Sequence, residues 1–369
     1  MSRVRFLMIG GFLGAGKTTA IARLARHFID QGLSVGLVTN DQANDLVDTE
    51  SLRAQGFNVG EVTGACFCCK FNGLLDTVSQ ISQDRQPDVI LAEPVGSCTD
   101  LVSTVVEPLK RFYGDQFEVG RLAVLVKPEH GRKILSGDES FGFSPKAAYI
   151  FLKQIEEADI VVINKIDKLT AADRQNLIKL VGQRYPSKTV VAASAKSGEG
   201  LAELVAELQK PRPSREQPMD VDYDIYAEGE AELGWLNCLV TLEAGDAAEP
   251  FELDDVALEL VRRLKKSLLA HDAEPAHLKV LAEGDGESAI ANLVSSDSEV
   301  DLSKSAGTTS RRAELIVNAR VAVSPEELSD LVAEAAAGLA AERGLDHTLT
   351  DLQSFRPGRP TPTHRILAK

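Results

Sequence analysis

From residue 1 to about 208, short apolar runs rich in Val and Ile alternate with longer stretches of helical periodicity. The runs predict strands at Val4–Ile9, Ser34–Thr39, Asp88–Ala92, Arg121–Val126, Ile160–Ile163 and Thr189–Ala192. Helices are expected to begin near Lys17, Gly73, Thr99, Pro145, Ala171 and Glu199. Strands this apolar have no wet face, so the pattern implies an α/β fold in which helices cover both faces of a mostly parallel sheet.

The segment Pro211–Asp222, with three prolines, many charges and no apolar periodicity, reads as a linker. Beyond it the order changes to a strand at Trp235–Leu242, a helix at Leu253–Ala270, strands at Leu278–Ala282, Ala289–Val294 and Glu314–Val323, and a helix from Pro325. That last helix has Ser324 as N-cap with Glu327 three residues on, and Gly344 as its stop. The expected domains are therefore 1–210, a linker over 211–222, and a smaller α+β domain over 223–369, for which a ferredoxin-like arrangement is one option. The tail Ser354–Arg365 reads as irregular and surface-lying.

Charge narrows the function classes. Lys and Arg total 40 against 55 Asp and Glu, a formal net charge of −15. That balance opposes the counterion release that drives nucleic-acid binding, and no stretch approaches the roughly 20 apolar residues of a membrane helix. Neither nucleic acid nor membrane is an expected partner. No signal-peptide pattern opens the chain, and five cysteines, an odd number with three of them within four residues, do not suggest a disulfide framework. A cytoplasmic location is expected.

Gly11-Phe12-Leu13-Gly14-Ala15-Gly16-Lys17-Thr18 fits G-x-x-x-x-G-K-[ST] between a predicted strand and a predicted helix. Glycines allow the backbone to wrap phosphates, and the amides of Gly11, Gly14, Ala15, Gly16 and the following Thr19 turn favour negative charge. Lys17 reaches the outer phosphates and the Thr18 hydroxyl ligates Mg²⁺. Glu93 ends an apolar strand and is placed to hold Mg²⁺ through water or to orient the attacking water; Gly96, three residues on, offers an N–H to the γ-phosphate.

Asn164-Lys165-Ile166-Asp167 follows another apolar strand. A carboxylate at Asp167 accepts two hydrogen bonds from the edge of guanine, where adenine has no matching donor pair, and Lys165 can lay its stem over the base. Ser194-Ala195-Lys196 follows the next strand, and its backbone can meet the guanine carbonyl. Three loops in this order point to GTP; an ATP-dependent kinase on the same fold is the competing reading, against which Asp167 argues.

Cys66-Phe67-Cys68-Cys69 carries the second piece of chemistry. Three sulfurs converge only if the backbone turns, as Gly64 and Gly73 permit. Thiolates suit Zn²⁺ or Co²⁺, and three of them leave one position open, which suits delivery more than a structural ion. Core cysteines or a redox pair are the alternatives. Cys98 and Cys238 read as standing alone.

With Gly-Gly-Phe-Leu-Gly-Ala-Gly-Lys-Thr-Thr over 10–19, the Cys66-x-Cys68-Cys69 cluster and Asn-Lys-Ile-Asp over 164–167, the chain resembles the CobW-like family of P-loop GTPases, relatives of the urease and hydrogenase nickel-insertion GTPases. The resemblance implies a P-loop GTPase domain that binds a metal ion at the cysteines in a nucleotide-dependent way and loads or activates a client metalloprotein. A nucleotide-dependent homodimer is an open option. A gate that assembles or repairs a corrinoid- or metal-dependent enzyme without carrying free metal is the second reading. The chain departs from the family where Thr39-Asn40-Asp41-Gln42-Ala43 replaces the usual Val-Asn-Glu-Phe-Gly, leaving the shorter Asp41 to do any metal work there. Ala65 separates Gly64 from Cys66, Val126-Lys127 replaces Val-Asp, and no His-rich loop is present.

Overall fold

The computed structural model describes residues 3–40, 47–83, 85–137, 144–213, 219–245 and 248–367. They fall into two compact units: the first takes the described residues up to Gly229, apart from Val47, and returns for those from Arg359; the second takes 230–358.

In the first unit, β1 (Val4–Gly11), α1 (Lys17–Asp30), β2 (Val35–Asn40), α2 (Val47–Ala54), β3 (Val59–Val62) and α3 (Phe71–Ile81) open the chain. Next come β4 (Val89–Glu93), α4 (Glu107–Tyr113), β5 (Phe117–Val119), β6 (Ala123–Val126), α5 (Pro128–Ser136) and α6 (Pro145–Glu157). The unit continues with β7 (Ile160–Ile163), α7 (Ala171–Arg184), β8 (Thr189–Ala192), α8 (Leu201–Leu208) and α9 (Tyr223–Glu230). The strands pair in parallel in the order β3-β2-β4-β1-β6-β7-β8, with β5 also beside β1. Alternate residues of β1 serve opposite faces: Leu7 and Ile9 join Ile21, Leu24 and Phe28 of α1, while Phe6 and Met8 are buried on the other side. This is the expected α/β arrangement. Helix α9, for which no element was expected, lies in the first unit except for its last residue.

The second unit is the expected smaller α+β body. Its elements are β9 (Gly234–Ala244), β10 (Phe251–Glu252), α10 (Leu253–Ala270), β11 (Pro275–Gly284), β12 (Glu287–Leu293), β13 (Asp301–Lys304), β14 (Thr309–Ser310), β15 (Arg312–Val321), α11 (Pro325–Arg343) and β16 (Leu345–Phe355). An antiparallel sheet in the order β13-β12-β11-β15-β9-β16 buries Val240, Leu278, Val280 and Val317 with Leu260 and Leu264 of α10 and Val332 and Leu339 of α11. Two β-α-β units interleave here, β9-α10-β11 and β15-α11-β16. The Ser324 hydroxyl caps α11 by accepting from the Glu327 N–H at 3.1 Å, and Gly344 ends it in the left-handed conformation, φ 66°.

Candidate functional site

Parallel strands deliver their following loops to one edge of a sheet. At that edge the phosphate loop joins β1 to α1. Gly11 has φ 134°, and a side-chain carbon there would lie 2.4 Å from the Leu125 carbonyl oxygen. Gly16, at φ 89°, would put one 2.5 Å from the Asn164 amide nitrogen. Only glycine lets the chain pass, so the spacing read in the sequence has a steric cause. Lys17 and Glu93, each 7% exposed, stand 4.0 Å apart (Nζ to Oε1), and the Thr18 hydroxyl donates to the same carboxylate oxygen at 3.1 Å. Gly96 lies against this group: a side-chain carbon on it would come within 2.7 Å of Leu13 and 3.0 Å of the Lys17 ammonium. Gly14 and Ala15 lie in the loop, and Thr19 is exposed on α1. A hydroxyl and a carboxylate meeting beside a lysine make a donor set for a hard divalent cation next to a phosphate cradle.

The loops after β7 and β8 lock onto the phosphate loop. Asn164 donates to the Ala15 carbonyl at 2.7 Å and accepts from the Ala195 N–H at 2.9 Å, so its side chain ties the two loops together. This engages the Ala195 amide inside the protein, where the sequence reading offered that backbone to the base. Asp167 is exposed and accepts from the Ser194 hydroxyl at 2.5 Å. Lys165 is left-handed, φ 59°, which turns the loop between Asn164 and Asp167. Lys196 is exposed; Arg23 from α1 holds its carbonyl and that of Ala195.

The cysteine turn sits at the same edge, between β3 and α3. The N–H groups of Cys69 and Lys70 both return to the Cys66 carbonyl, at 3.0 and 2.9 Å, and this tight turn is what makes three sulfurs converge. Sulfur separations are 2.9 Å (Cys66–Cys68), 3.4 Å (Cys66–Cys69) and 3.8 Å (Cys68–Cys69). A tetrahedral ion with bonds of about 2.3 Å requires sulfurs about 3.8 Å apart, so the set fits a thiophilic ion once the Cys66 sulfur moves away from both Cys68 and Cys69. Hydrogen bonding with its sulfur neighbours, Cys68 first, holds the Cys66 thiol well below its ordinary range. The bond to Cys66 pushes Cys68 well up and Cys69 up to about 11.

Sequence reasoning missed four neighbours. Cys98, read as standing alone, is buried and hydrogen-bonds to the thiols of Cys66 and Cys68. Asn40, the last residue of β2, donates to the carbonyls of Val62 and Ala65 and accepts from the Phe67 N–H, each at 2.8 Å, and so fastens the turn to the sheet. Asp100, buried and left-handed at φ 61°, accepts from the Tyr223 hydroxyl at 2.9 Å and from Arg365 at 2.7 Å. The tail, expected on the open surface, runs over the cysteines: the Thr361 N–H donates to the Cys69 sulfur at 3.2 Å and the Thr363 N–H to the Cys68 carbonyl at 2.8 Å. Asp41, the other carboxylate expected to serve a metal, lies outside the described residues.

A phosphate cradle, a buried lysine–carboxylate pair and a thiol cluster on one sheet edge define a P-loop nucleotide-binding protein equipped for a soft metal ion. Residues 5–192 match the nucleotide-binding domain of the CobW/HypB/UreG family, half of the chain, and the protein belongs to that family. It is 26% identical over 229 residues to a zinc chaperone CobW of Sinorhizobium, covering 54% of this chain and 60% of that one. It is 30% identical over 212 residues to the urease accessory protein UreG of Mycolicibacterium gilvum, covering 54% of this chain and 91% of UreG. The chain thus spans only about three fifths of the length of its CobW relative. Among solved structures, the Zn(II)-bound YjiA GTPase of E. coli aligns over 92% of this chain and 99% of its own, at 15% identity and a TM-score of 0.39. No helix among the described residues is long and apolar enough to cross a membrane.

Proposed function

We propose that the protein is a GTP-hydrolysing metal carrier that takes a Zn²⁺ or Co²⁺ ion on Cys66, Cys68 and Cys69 and hands it to a client metalloprotein. The observation that carries this reading is the shared sheet edge. The turn bearing the thiols is fastened to the end of β2, and Thr39 of β2 pairs in register with Glu93 of β4. The names of its relatives, a zinc chaperone and a urease accessory protein, support the same reading. The cysteines are free thiols, which agrees with a reducing, cytoplasmic setting.

Each residue has a stated task. Lys17 neutralises charge on the outer phosphates, the amides of the loop cradle them, and Gly96 offers its N–H to the γ-phosphate. Thr18 would hold Mg²⁺, which when bound draws charge from the phosphate oxygens, and Glu93 would reach the ion through water or orient the attacking water. Asp167 receives the guanine edge. Competition binding is expected to favour guanine over adenine nucleotides by a factor on the order of 10² or more, because adenine brings no donor pair to meet the Asp167 carboxylate. ATP displacing GTP at equal concentration would refute the base assignment.

The carrier reading is tested by metal titration with and without GTP. One ion per chain is expected, lost in the Cys66/Cys68/Cys69→Ser variant. Because Cys68 and Cys69 keep their protons at neutral pH, uptake must expel them, so affinity rises with pH and weakens in acid. No uptake in either state would leave the gate that carries no free metal.

A further inference from the structure

We propose that the tail from Arg359 to Ile366 is part of the metal site: a strap, fastened before and after the thiols, that holds Cys69 and keeps a bound ion in place until it lifts. The inference rests on the carrier reading and deepens it.

The two fastenings are unequal. At the near one, Arg359 donates to Asp224 at 2.9 Å and stands 5.9 Å from the centre of the Tyr223 ring. That ion pair is exposed, and such pairs contribute little. At the far one, Arg365 donates to Asp100 at 2.7 Å and stands 5.1 Å from the same ring, while the Ile366 N–H donates to the Ser103 carbonyl at 2.9 Å. Asp100 is fully buried, so drawing Arg365 away would strip a cation from a carboxylate that water does not reach. The far fastening is therefore the latch.

Between them the tail meets the cysteine turn. The Thr361 N–H donates to the Cys69 sulfur at 3.2 Å. The Thr363 N–H donates to the Cys68 carbonyl at 2.8 Å and its hydroxyl to the Cys69 carbonyl at 3.0 Å. His364 packs edge-on against Phe71, the first residue of α3, with ring centres 5.1 Å apart. The local sequence suits this task. In Pro360-Thr361-Pro362 only Thr361 possesses a main-chain N–H, and that N–H is the one given to sulfur. The flanking prolines also restrict the free tail, which lowers the entropic cost of docking it.

Cys66 and Cys68 are buried and Cys69 is half-buried, so an ion on the three sulfurs meets solvent on the Cys69 side, where the strap lies. Metal binding makes Cys69 a thiolate, and the hydrogen bond it accepts from Thr361 then becomes charge-assisted and stronger. Loading tightens the strap, and handing the ion over requires lifting it.

The test follows Zn²⁺ release from the loaded full chain to an excess of chromophoric chelator. Thr361→Pro removes the N–H and is expected to release Zn²⁺ on the order of tenfold faster than the parent, the scale of one hydrogen bond to a charged acceptor. Thr361→Ala keeps the N–H and is expected to match the parent. Arg365→Gln undoes the latch and is expected to release faster as well. Parent-rate release by both Thr361→Pro and Arg365→Gln would overturn the strap and leave the carrier reading standing; so would Thr361→Ala releasing as fast as Thr361→Pro. Hydrogen exchange of the parent needs no variant: the amides of Thr361, Thr363 and Ile366 are expected to exchange more slowly in the Zn²⁺-loaded chain than in the metal-free one. A tail that exchanges like a free peptide in the loaded chain would overturn the proposal. A parent chain that takes up no Zn²⁺ would refute the strap and the carrier reading together.

Discussion

Lys17→Ala is expected to abolish nucleotide binding at ordinary concentrations, whereas Glu93→Ala is expected to bind GTP near the parent level and hydrolyse it slowly. The two side chains touch the same oxygen environment, Nζ to Oε1 4.0 Å, but they act at different moments. Lys17 meets charge that the nucleotide carries in its ground state. Two charge-assisted hydrogen bonds to phosphate are together worth about 3–6 kcal/mol, two to four decades of affinity. The substitution also strips Glu93 of its nearby cation and leaves a buried carboxylate facing the phosphates, which adds to the loss. Glu93 counts most where water attacks, and groups of that kind typically contribute on the order of 10² to 10⁴ in rate. Calorimetry for binding and phosphate release for turnover separate the two effects. Parent-level hydrolysis by Glu93→Ala would refute the carboxylate's role, and parent-level GTP affinity in Lys17→Ala would remove the phosphate site itself.

The phosphate loop and its strand and helix were legible because their determinants are local: an apolar run, a glycine at Gly11 forced by a carbonyl 2.4 Å from where a side chain would begin, and a lysine at the helix start. What escaped the reading lacks a local signal. Strand β3 is four residues, Val-Gly-Glu-Val, pairs only with β2 and is mostly half-buried, so it has neither length nor alternation. Strand β16 is an edge strand whose residues are mainly exposed, and its polar sequence gives no core face to read. Helix α5, Pro128–Ser136, carries a glycine, Gly131, whose missing side chain makes room for Val126, so a packing requirement disguised a helix as a turn. The helix expected near Thr99 does begin there, at Leu101 just after the left-handed Asp100, and runs as a π-helical stretch, Val102–Val106, into α4. The site was half legible for the same reason. Three cysteines within four residues announce themselves, but Cys98, which influences them, belongs to another loop, Asn40 acts through its amide on backbone groups, and Thr361 contributes a main-chain N–H that any residue but proline possesses.

Zn²⁺ affinity is expected to differ about 5- to 150-fold between the states bound to a non-hydrolysable GTP analogue and to GDP, tighter in the former if loading precedes hydrolysis. That range corresponds to a coupling of about 1–3 kcal/mol. Two physical connections run from the phosphate group to the thiols. One follows the chain from Glu93 through Gly96 to Cys98. The other crosses the sheet from Glu93 to its register partner Thr39 and on to Asn40, whose amide holds the turn at Val62, Ala65 and Phe67. An ordering of the loop by γ-phosphate would act on the sulfurs through either. Linkage makes the effect reciprocal, so Zn²⁺ must raise the preference for the GTP analogue over GDP by the same factor, and the two titrations check each other. Asn40→Ala keeps every sulfur while cutting the second connection. It is therefore expected to retain metal uptake while narrowing the difference between nucleotide states. Equal Zn²⁺ affinity in the two states of the parent protein would make the cysteines a static site, and delivery driven by hydrolysis would have to be abandoned even if GTPase activity survived.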